Sequence, residues 1–325
     1  MRFYDIFNGD ADGLCALQQL RLDHPRDATL VTGIKRDTGL LSRIAAEPGD
    51  EVIVLDVSLD TNRAALLAAL QAGARVRYFD HHFAGAIPQH PLLETHIDHS
   101  AETCTSLIVD RHLGGRHRKW AVAAAFGDNL VARAEAEAEA VGLDPSQVAA
   151  LRELGECLNY NAYGRHVAEL HFDPAELYRR MHGYADPLEF HARSAEIIAL
   201  RQASADDLRR ALALRIENVG NGAVVVYMPD AAWSWRIAGT FANALARRHA
   251  DRIVALLLRS GLGYQVSLRA PEHDGTPMDL LARQFPSGNG RKRSAGIAFL
   301  PEGDIPKFLA LLANPPTVEA TPISP

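Results

Sequence analysis

Cysteine is scarce in this chain: only Cys15, Cys104 and Cys157 occur among 325 residues, and none forms a CxxC pair. An odd number of widely spaced thiols excludes a disulfide framework and suits a reducing, cytoplasmic compartment. Long apolar runs are missing as well. No segment approaches a membrane span, and Met1-Arg2-Phe3-Tyr4-Asp5 lacks the apolar core of a signal peptide. Positive charge is in deficit, with 34 Lys+Arg against 40 Asp+Glu and a net charge of −6. Global charge therefore attracts no nucleic acid, and a polyanionic substrate has to be held by local clusters or by metal. Long single strands, which need an extended basic and aromatic groove, are disfavoured as partners, and so is long duplex. No internal repeat is visible. No Ser-His-Asp or Cys-His arrangement is evident, which leaves covalent nucleophilic catalysis without a candidate.

What is present is an alternation of short β-type and helical runs. Strands are expected over 2–7, 29–34, 51–56 and 75–79, with helices over 14–23, 39–46 and 61–72 between them, then further helices over 103–113 and 119–130. This rhythm predicts an α/β fold with a doubly wound parallel sheet in residues 1–130. A helical connecting region follows over 131–215. Its acidic stretch 133–141 reads as a solvated helix face, and a long helix is expected from Asp186-Pro187 to about Leu214. Beyond Gly220-Asn221-Gly222 alternation resumes in a smaller C-terminal α/β domain, 216–313. The Pro/Thr-rich remainder, 314–325, reads as a disordered tail.

Three of the expected strands end in carboxylate or imidazole. The run 3–7 leads into Asn8-Gly9-Asp10-Ala11-Asp12-Gly13, the run 52–55 into Asp56, and the run 76–79 into Asp80-His81-His82. The carboxyl edge of an open parallel sheet is where ligands bind. Carboxylate and imidazole without thiolate suit Mn²⁺ or Mg²⁺ better than zinc. Each motif also has a plain reading. Asp10 and Asp12 open a helix, where Asp is a common cap, although Gly9 and Gly13 free the backbone to aim both into one cavity. Asp56 alone is a turn residue in most proteins. Asp128, in Gly127-Asp128-Asn129, closes an Ala-rich helix, where a carboxylate opposes the helix dipole.

Taken in order, these segments resemble the DHH phosphoesterase superfamily, which includes RecJ exonucleases, nanoRNase/pAp phosphatases, cyclic-dinucleotide phosphodiesterases and type II inorganic pyrophosphatases. The resemblance covers residues 1–130. It implies a two-metal Mn²⁺ site, with Mg²⁺ an alternative: Asp10 on the first metal, Asp12 on the second, Asp56 bridging, and His81 and Asp128 completing the second. His82 would point at the scissile phosphate. Many members carry a metal-binding His four residues before the first Asp. This chain has Ile6 there, with Asn8 as the nearest polar substitute, so one ion is expected to bind tightly and one weakly. His99 is a candidate behind the ligands. Both readings, a working site and a nucleotide binder that has lost a metal, stay open.

A second resemblance lies near the C-terminus. Val266-Ser267-Leu268-Arg269 and the run from Ser287 to Gly296, with Gly288, Asn289, Gly290 and Arg291, are similar to the strand and glycine-rich loop of the DHH-associated substrate domain. Asn289 stands for a Gly and Arg291 for a His. Glycine lets backbone N–H groups approach a phosphate, and guanidinium binds one bidentately. Trp233 and Trp235 are expected to pack the small domain, and Cys104 is not expected to be a catalytic thiol. The expectation is thus a cytoplasmic, Mn²⁺-dependent phosphoesterase hydrolysing a small nucleotide or short oligonucleotide through metal-activated water in a cleft between two domains. Polyphosphate and cyclic dinucleotides are alternative substrates, a non-catalytic nucleotide binder is the rival from another class, and a homodimer is compatible with all of these.

Overall fold

The computed structural model describes residues 1–271 and 276–316. Most of the tail expected over 314–325, from residue 317 on, lies outside the described residues. The chain divides into two compact units, the first Met1–Ala203 and the second starting at Ser204.

The first unit is built on five parallel strands: β1 (Phe3–Phe7), β2 (Thr29–Val31), β3 (Glu51–Leu55), β4 (Arg75–Asp80) and β5 (Leu93–Ile97), in the order β2-β1-β3-β4-β5. Side chains alternate across a sheet, and the apolar residues divide accordingly. Tyr4, Ile6, Val52, Val54, Val76 and Tyr78 share one core cluster with Leu40, Leu41 and Leu66. Phe7 and Phe79 turn to the other face, where their rings meet Tyr178 and His112. Burial on both faces explains why β3 and β4 read as nearly unbroken apolar runs. β5 was not foreseen: Leu93-Glu94-Thr95-His96-Ile97 carries little apolar pattern, and pairing with β4 makes it a strand.

Nine helices follow the strands or are interleaved with them: α1 (Ala11–Asp23), α2 (Leu59–Gln71), α3 (Thr105–His112), α4 (Arg118–Gly127), α5 (Val131–Ala140), α6 (Pro145–Asn161), α7 (Pro174–His182), α8 (Pro187–Arg193) and α9 (Ala195–Leu212), the last running past the division between units. α1 is buried along most of its length and packs against α3, α4 and α7. Its Arg21 forms a buried ion pair with Asp5 of β1, Nε donating to Oδ2 at 2.8 Å. α4 and α6 cross closely because position 155 is glycine: a Cβ there would collide with the Ala123 carbonyl.

Two expectations need correction. The helix expected over 39–46 is a single 3₁₀ turn, Leu40–Arg43. The long helix expected from 186 breaks at Ser194, whose ψ of 124° is extended and whose hydroxyl accepts the N–H of Ile197 at 3.2 Å. A serine cap interrupted an otherwise continuous pattern. In the helical region α6 packs on α4, and α7 on α1, inside the first unit.

The second unit contains β6 (Ile216–Val219), β7 (Ala223–Met228), α10 (Ala232–Arg248), β8 (Ile253–Ser260), β9 (Gly263–Arg269), α11 (Met278–Ala282), β10 (Gly288–Arg291), β11 (Ser294–Pro301) and α12 (Ile305–Ala313). Its six strands run in the order β10-β11-β9-β8-β7-β6, with β7 and β8 parallel and the other pairs antiparallel. Val225, Ala255, Leu257, Leu268 and Ile297 pack there with Phe285 and Phe308. β6 was not foreseen. The segment expected as a glycine-rich loop is also largely strand: β10 and β11 pair from Gly288↔Ile297 to Arg291↔Ser294, leaving Lys292-Arg293 as the hairpin turn.

Candidate metal centre at the carboxyl ends of the parallel strands

Register brings the motifs together. Phe7 pairs with Leu55 and Leu55 with Phe79, so the residues that follow lie abreast at one sheet edge. The ladder persists one step further, with Asn8 N–H donating to the Leu55 carbonyl at 3.2 Å and Asp56 N–H to that of Phe79 at 3.1 Å. Beyond that edge lies a cavity of about 300 Å³ lined by Asn8, Asp10, Lys35, Asp56, His81, His82 and Asp128, among others.

Asp10 caps α1: its Oδ1 accepts the N–H groups of Asp12 and Gly13, both at 3.1 Å. Both Gly9 and Gly13 are there for space and not for an unusual φ, since a Cβ on Gly13 would strike the Asn8 carbonyl and one on Gly9 that of Gly33. Asp12, wholly buried, accepts the N–H of Thr105 and of Ser106 at 2.7 Å each, so its carboxylate sits at the N-terminus of α3. Asp56 occupies the left-handed region with φ +58°, and its Oδ1 accepts the Thr105 hydroxyl at 3.1 Å. Asp128 follows the last turn of α4. Burial, reinforced by Asp12, Asp10 and Asp128, pushes the Asp56 carboxyl well above its usual range. Burial likewise pushes Asp128 up to about 6, against the pull of Lys35.

The two histidines have different partners. His81 Nδ1 lies 3.1 Å from the Thr103 carbonyl, which makes it the protonated nitrogen. Nε2 is left toward the carboxylates, 3.4 Å from Asp56 Oδ1 and 3.8 Å from Asp128 Oδ2. His82 Nδ1 lies 2.8 Å from Asp80 Oδ1, and the side chain is half exposed in the cavity. Burial disfavours its charged form, but Asp80, with Asp12 and Asp10 behind it, prevails and raises its pKa.

Donor atoms of Asp12, His81 and Asp128 fall within 4.8 Å of one another, as do those of Asp56, His81 and His82. Buried carboxylates, with the proton affinity of Asp56 and Asp128 raised, and an imidazole whose far nitrogen is already engaged suit a hard divalent ion. The surroundings of Asp10 do not. Lys35 Nζ donates to Asp10 Oδ2 at 2.5 Å, to Asp128 Oδ1 at 3.2 Å and to Asn159 Oδ1 at 3.2 Å. Burial works to raise the Asp10 pKa, and Lys35 overcomes it and holds it below the usual value. Ile6 lies in the apolar cluster and offers no donor. Asn8 donates to the Lys35 carbonyl at 3.2 Å, and its buried Oδ1 has no partner among the described residues.

Lys35 and Asn159 escaped sequence reading, since neither stands in a motif. His99 does not line the cavity: it is exposed, its ring 6.4 Å from that of Phe83. In the second unit Arg269, Ser294 and Arg291 are abreast on β9, β11 and β10, and residues abreast share a face. Arg269 Nε donates to Asn243 Oδ1 at 2.9 Å. Gly288 approaches α11 too closely for a side chain, while Asn289, Gly290 and Arg291 are exposed. Buried Cys104 has its thiol pKa pushed far up by burial and by Asp12, and is unreactive.

No family model matches the chain, and no curated protein matches its sequence. Its fold is shared with solved structures of low sequence identity. Among solved structures it is similar to RecJ exonuclease bound to manganese, with TM-score 0.59 and 19% identity over 96% of this chain and 89% of that one. Manganese-bound RecJ from Thermus thermophilus gives TM-score 0.60 at 19% identity, 96% of this chain covering 51% of that one, so the present chain spans about half its length. PggH, a pGpG-specific phosphodiesterase from Vibrio cholerae, gives TM-score 0.52 at 12% identity over 96% of this chain and 98% of that one. Among the described residues no helix is long and apolar enough to cross a membrane.

Proposed function

We propose that this chain is a divalent-metal-dependent phosphoesterase acting on a small nucleotide or short oligonucleotide. The observation that carries this reading is the convergence of Asp56, Asp128 and the oriented Nε2 of His81 on one cavity, with a carboxylate oxygen of Asp12 within 4.8 Å of ligand atoms of His81 and Asp128. These four residues would hold Mn²⁺ or Mg²⁺. Bound there, the ion supplies Lewis acidity toward a phosphoryl oxygen and lowers the pKa of a bound water. His82, its pKa raised by Asp80, lines the cavity and, when protonated, would donate a hydrogen bond from Nε2 to a phosphoryl oxygen. Thr38 and Ser58 line the same cavity and add hydroxyls for substrate contacts. Within the second unit, the row Arg269–Ser294–Arg291, with Gly288, Asn289 and Gly290 alongside, offers guanidinium groups and bare backbone suited to binding phosphate. The phosphodiester chemistry of the RecJ and PggH neighbours supports the substrate class, and a net charge of −6 favours short substrates. Three buried free thiols suit the cytoplasm.

A panel of dinucleotides, pAp, cyclic dinucleotides, polyphosphate and pyrophosphate, assayed with Mn²⁺ and with EDTA, tests the proposal. Turnover of a phosphoester with Mn²⁺, lost in Asp56→Ala, is expected. Silence toward every member under saturating Mn²⁺ rejects it. That outcome leaves the second reading, a nucleotide binder without catalysis, which the apolar burial of Ile6 and the ammonium on Asp10 favour.

A further inference from the structure

Four buried or nearly buried carboxylates, Asp10, Asp12, Asp56 and Asp128, are grouped at this edge, Asp10, Asp56 and Asp128 lining the cavity, and the ammonium of Lys35 lies against Asp10 and Asp128. We propose, resting on the metal-dependent reading above, that Lys35 is a built-in cation filling the position beside Asp10, so that the centre takes one divalent ion per chain. The three protons of the ammonium match three acceptors, Asp10 Oδ2, Asp128 Oδ1 and Asn159 Oδ1. The other oxygen of Asp10 is already committed to the backbone of Asp12 and Gly13. The acceptors are themselves held: Asn159 Nδ2 donates to the Gly127 carbonyl at 2.9 Å, beside Asp128.

The Lys35 backbone is fastened from both sides. Its N–H donates to the Ala162 carbonyl at 2.9 Å, beyond α6, and its carbonyl accepts Asn8 Nδ2 at 3.2 Å. The Tyr163 ring lies 5.9 Å from Nζ. These ties aim the side chain at Asp10 from outside the strand ends. Nζ thus lies within hydrogen-bond distance of two carboxylates, Asp10 and Asp128, and of the Asn159 carboxamide oxygen.

Charge balance favours the single ion. Four carboxylates against one ammonium leave three negative charges, and one divalent ion reduces that to one. A second ion would invert the sign and set two cations against each other within hydrogen-bond reach of Asp10. An ammonium also differs from a metal in kind. It donates hydrogen bonds to phosphoryl oxygens, but it neither coordinates nor acidifies water, so all Lewis acidity falls to the ion among Asp12, Asp56, His81 and Asp128.

Mn²⁺ titration of the full chain, read by calorimetry and by electron paramagnetic resonance, tests this independently of activity. The wild type is expected to bind one Mn²⁺ with an uncoupled signal. Lys35→Ala should bind two, the second more weakly, with a spin-coupled signal, while Lys35→Arg should stay at one. Two ions on the wild type, or one ion on a folded Lys35→Ala, overturns the role of Lys35 and leaves the metal-dependent reading intact. No Mn²⁺ on the wild type overturns that reading itself. The wild-type stoichiometry decides even if Lys35→Ala does not fold.

Discussion

Replacing Asp56 by Asn should make the metal-free protein more stable while removing its activity. Asp56 is buried, adopts φ +58°, and has its pKa raised well above 3.8 by burial and by Asp12, Asp10 and Asp128. Asn tolerates the left-handed region at least as well, so the backbone loses nothing. It also keeps an oxygen for the Thr105 hydroxyl. The gain is bounded: once the penalty for an ionised Asp56 exceeds about 4 kcal/mol at neutral pH, the group simply takes up a proton. Burying a carboxamide returns part of that, about 1–2 kcal/mol, leaving a net gain of about 1–3 kcal/mol. In a unit of this size 2 kcal/mol raises Tm by roughly 4–8 °C. Scanning calorimetry in EDTA and in Mn²⁺ gives the measurement. In EDTA Asp56→Asn should melt above the wild type. At Mn²⁺ about 100-fold over Kd the wild type gains about 2.7 kcal/mol and the variant much less, which removes or reverses the order. The pH dependence has a definite sign. A carboxyl with raised folded pKa is destabilising when ionised, so the advantage is present at neutral pH. It fades on acidification and is gone below about pH 4, where the wild-type group is protonated in both states. A variant less stable than wild type in EDTA, or one stabilised equally by Mn²⁺, refutes the reasoning.

Three further outcomes are expected. Gly155→Ala should force α4 and α6 apart, lower stability by about 1–3 kcal/mol and reduce Mn²⁺ affinity by moving Asp128, as denaturation and metal titration would record. Asp50, held at about pKa 2 by the Arg2 guanidinium and by backbone N–H groups, contributes stability that is complete above about pH 4 and disappears as pH falls toward 2. An acid titration in which Asp50→Asn differs from wild type at neutral pH and converges with it at low pH would check this. Arg291→Ala should raise KM more than it lowers kcat on the best substrate, and an unchanged KM rejects its phosphate role.

Much of the centre was legible because its residues follow strands whose apolar runs are unmistakable. Asp56 and Asp80-His81-His82 stand directly after such runs, and parallel pairing without a register slip carried them to one edge. Asp10 and Asp12 were legible as a helix start, and Asp10 is indeed the cap of α1 while it also lines the candidate cavity. Elsewhere the pattern misled. Ser194 broke a helix that composition had continued, β5 had no apolar alternation to announce it, and the basic glycine-rich segment became a hairpin because its glycines fit against α11 and Ala295.

By itself the sequence determined the parallel sheet, the order of its acidic and imidazole ends, and the absence of a thiolate site, because apolar period and residue type are local properties. It also determined that position 6 offers no imidazole. Only the tertiary structure decided what stands there instead. Lys35 comes from the loop after β2 and Asn159 from α6, far apart in sequence; Lys35, tied through its backbone to Asn8 and Ala162, meets both Asp10 and Asn159. A charge brought in by such long-range contacts leaves no periodicity or motif in the chain. It becomes visible only where folding places the ammonium among the carboxylates.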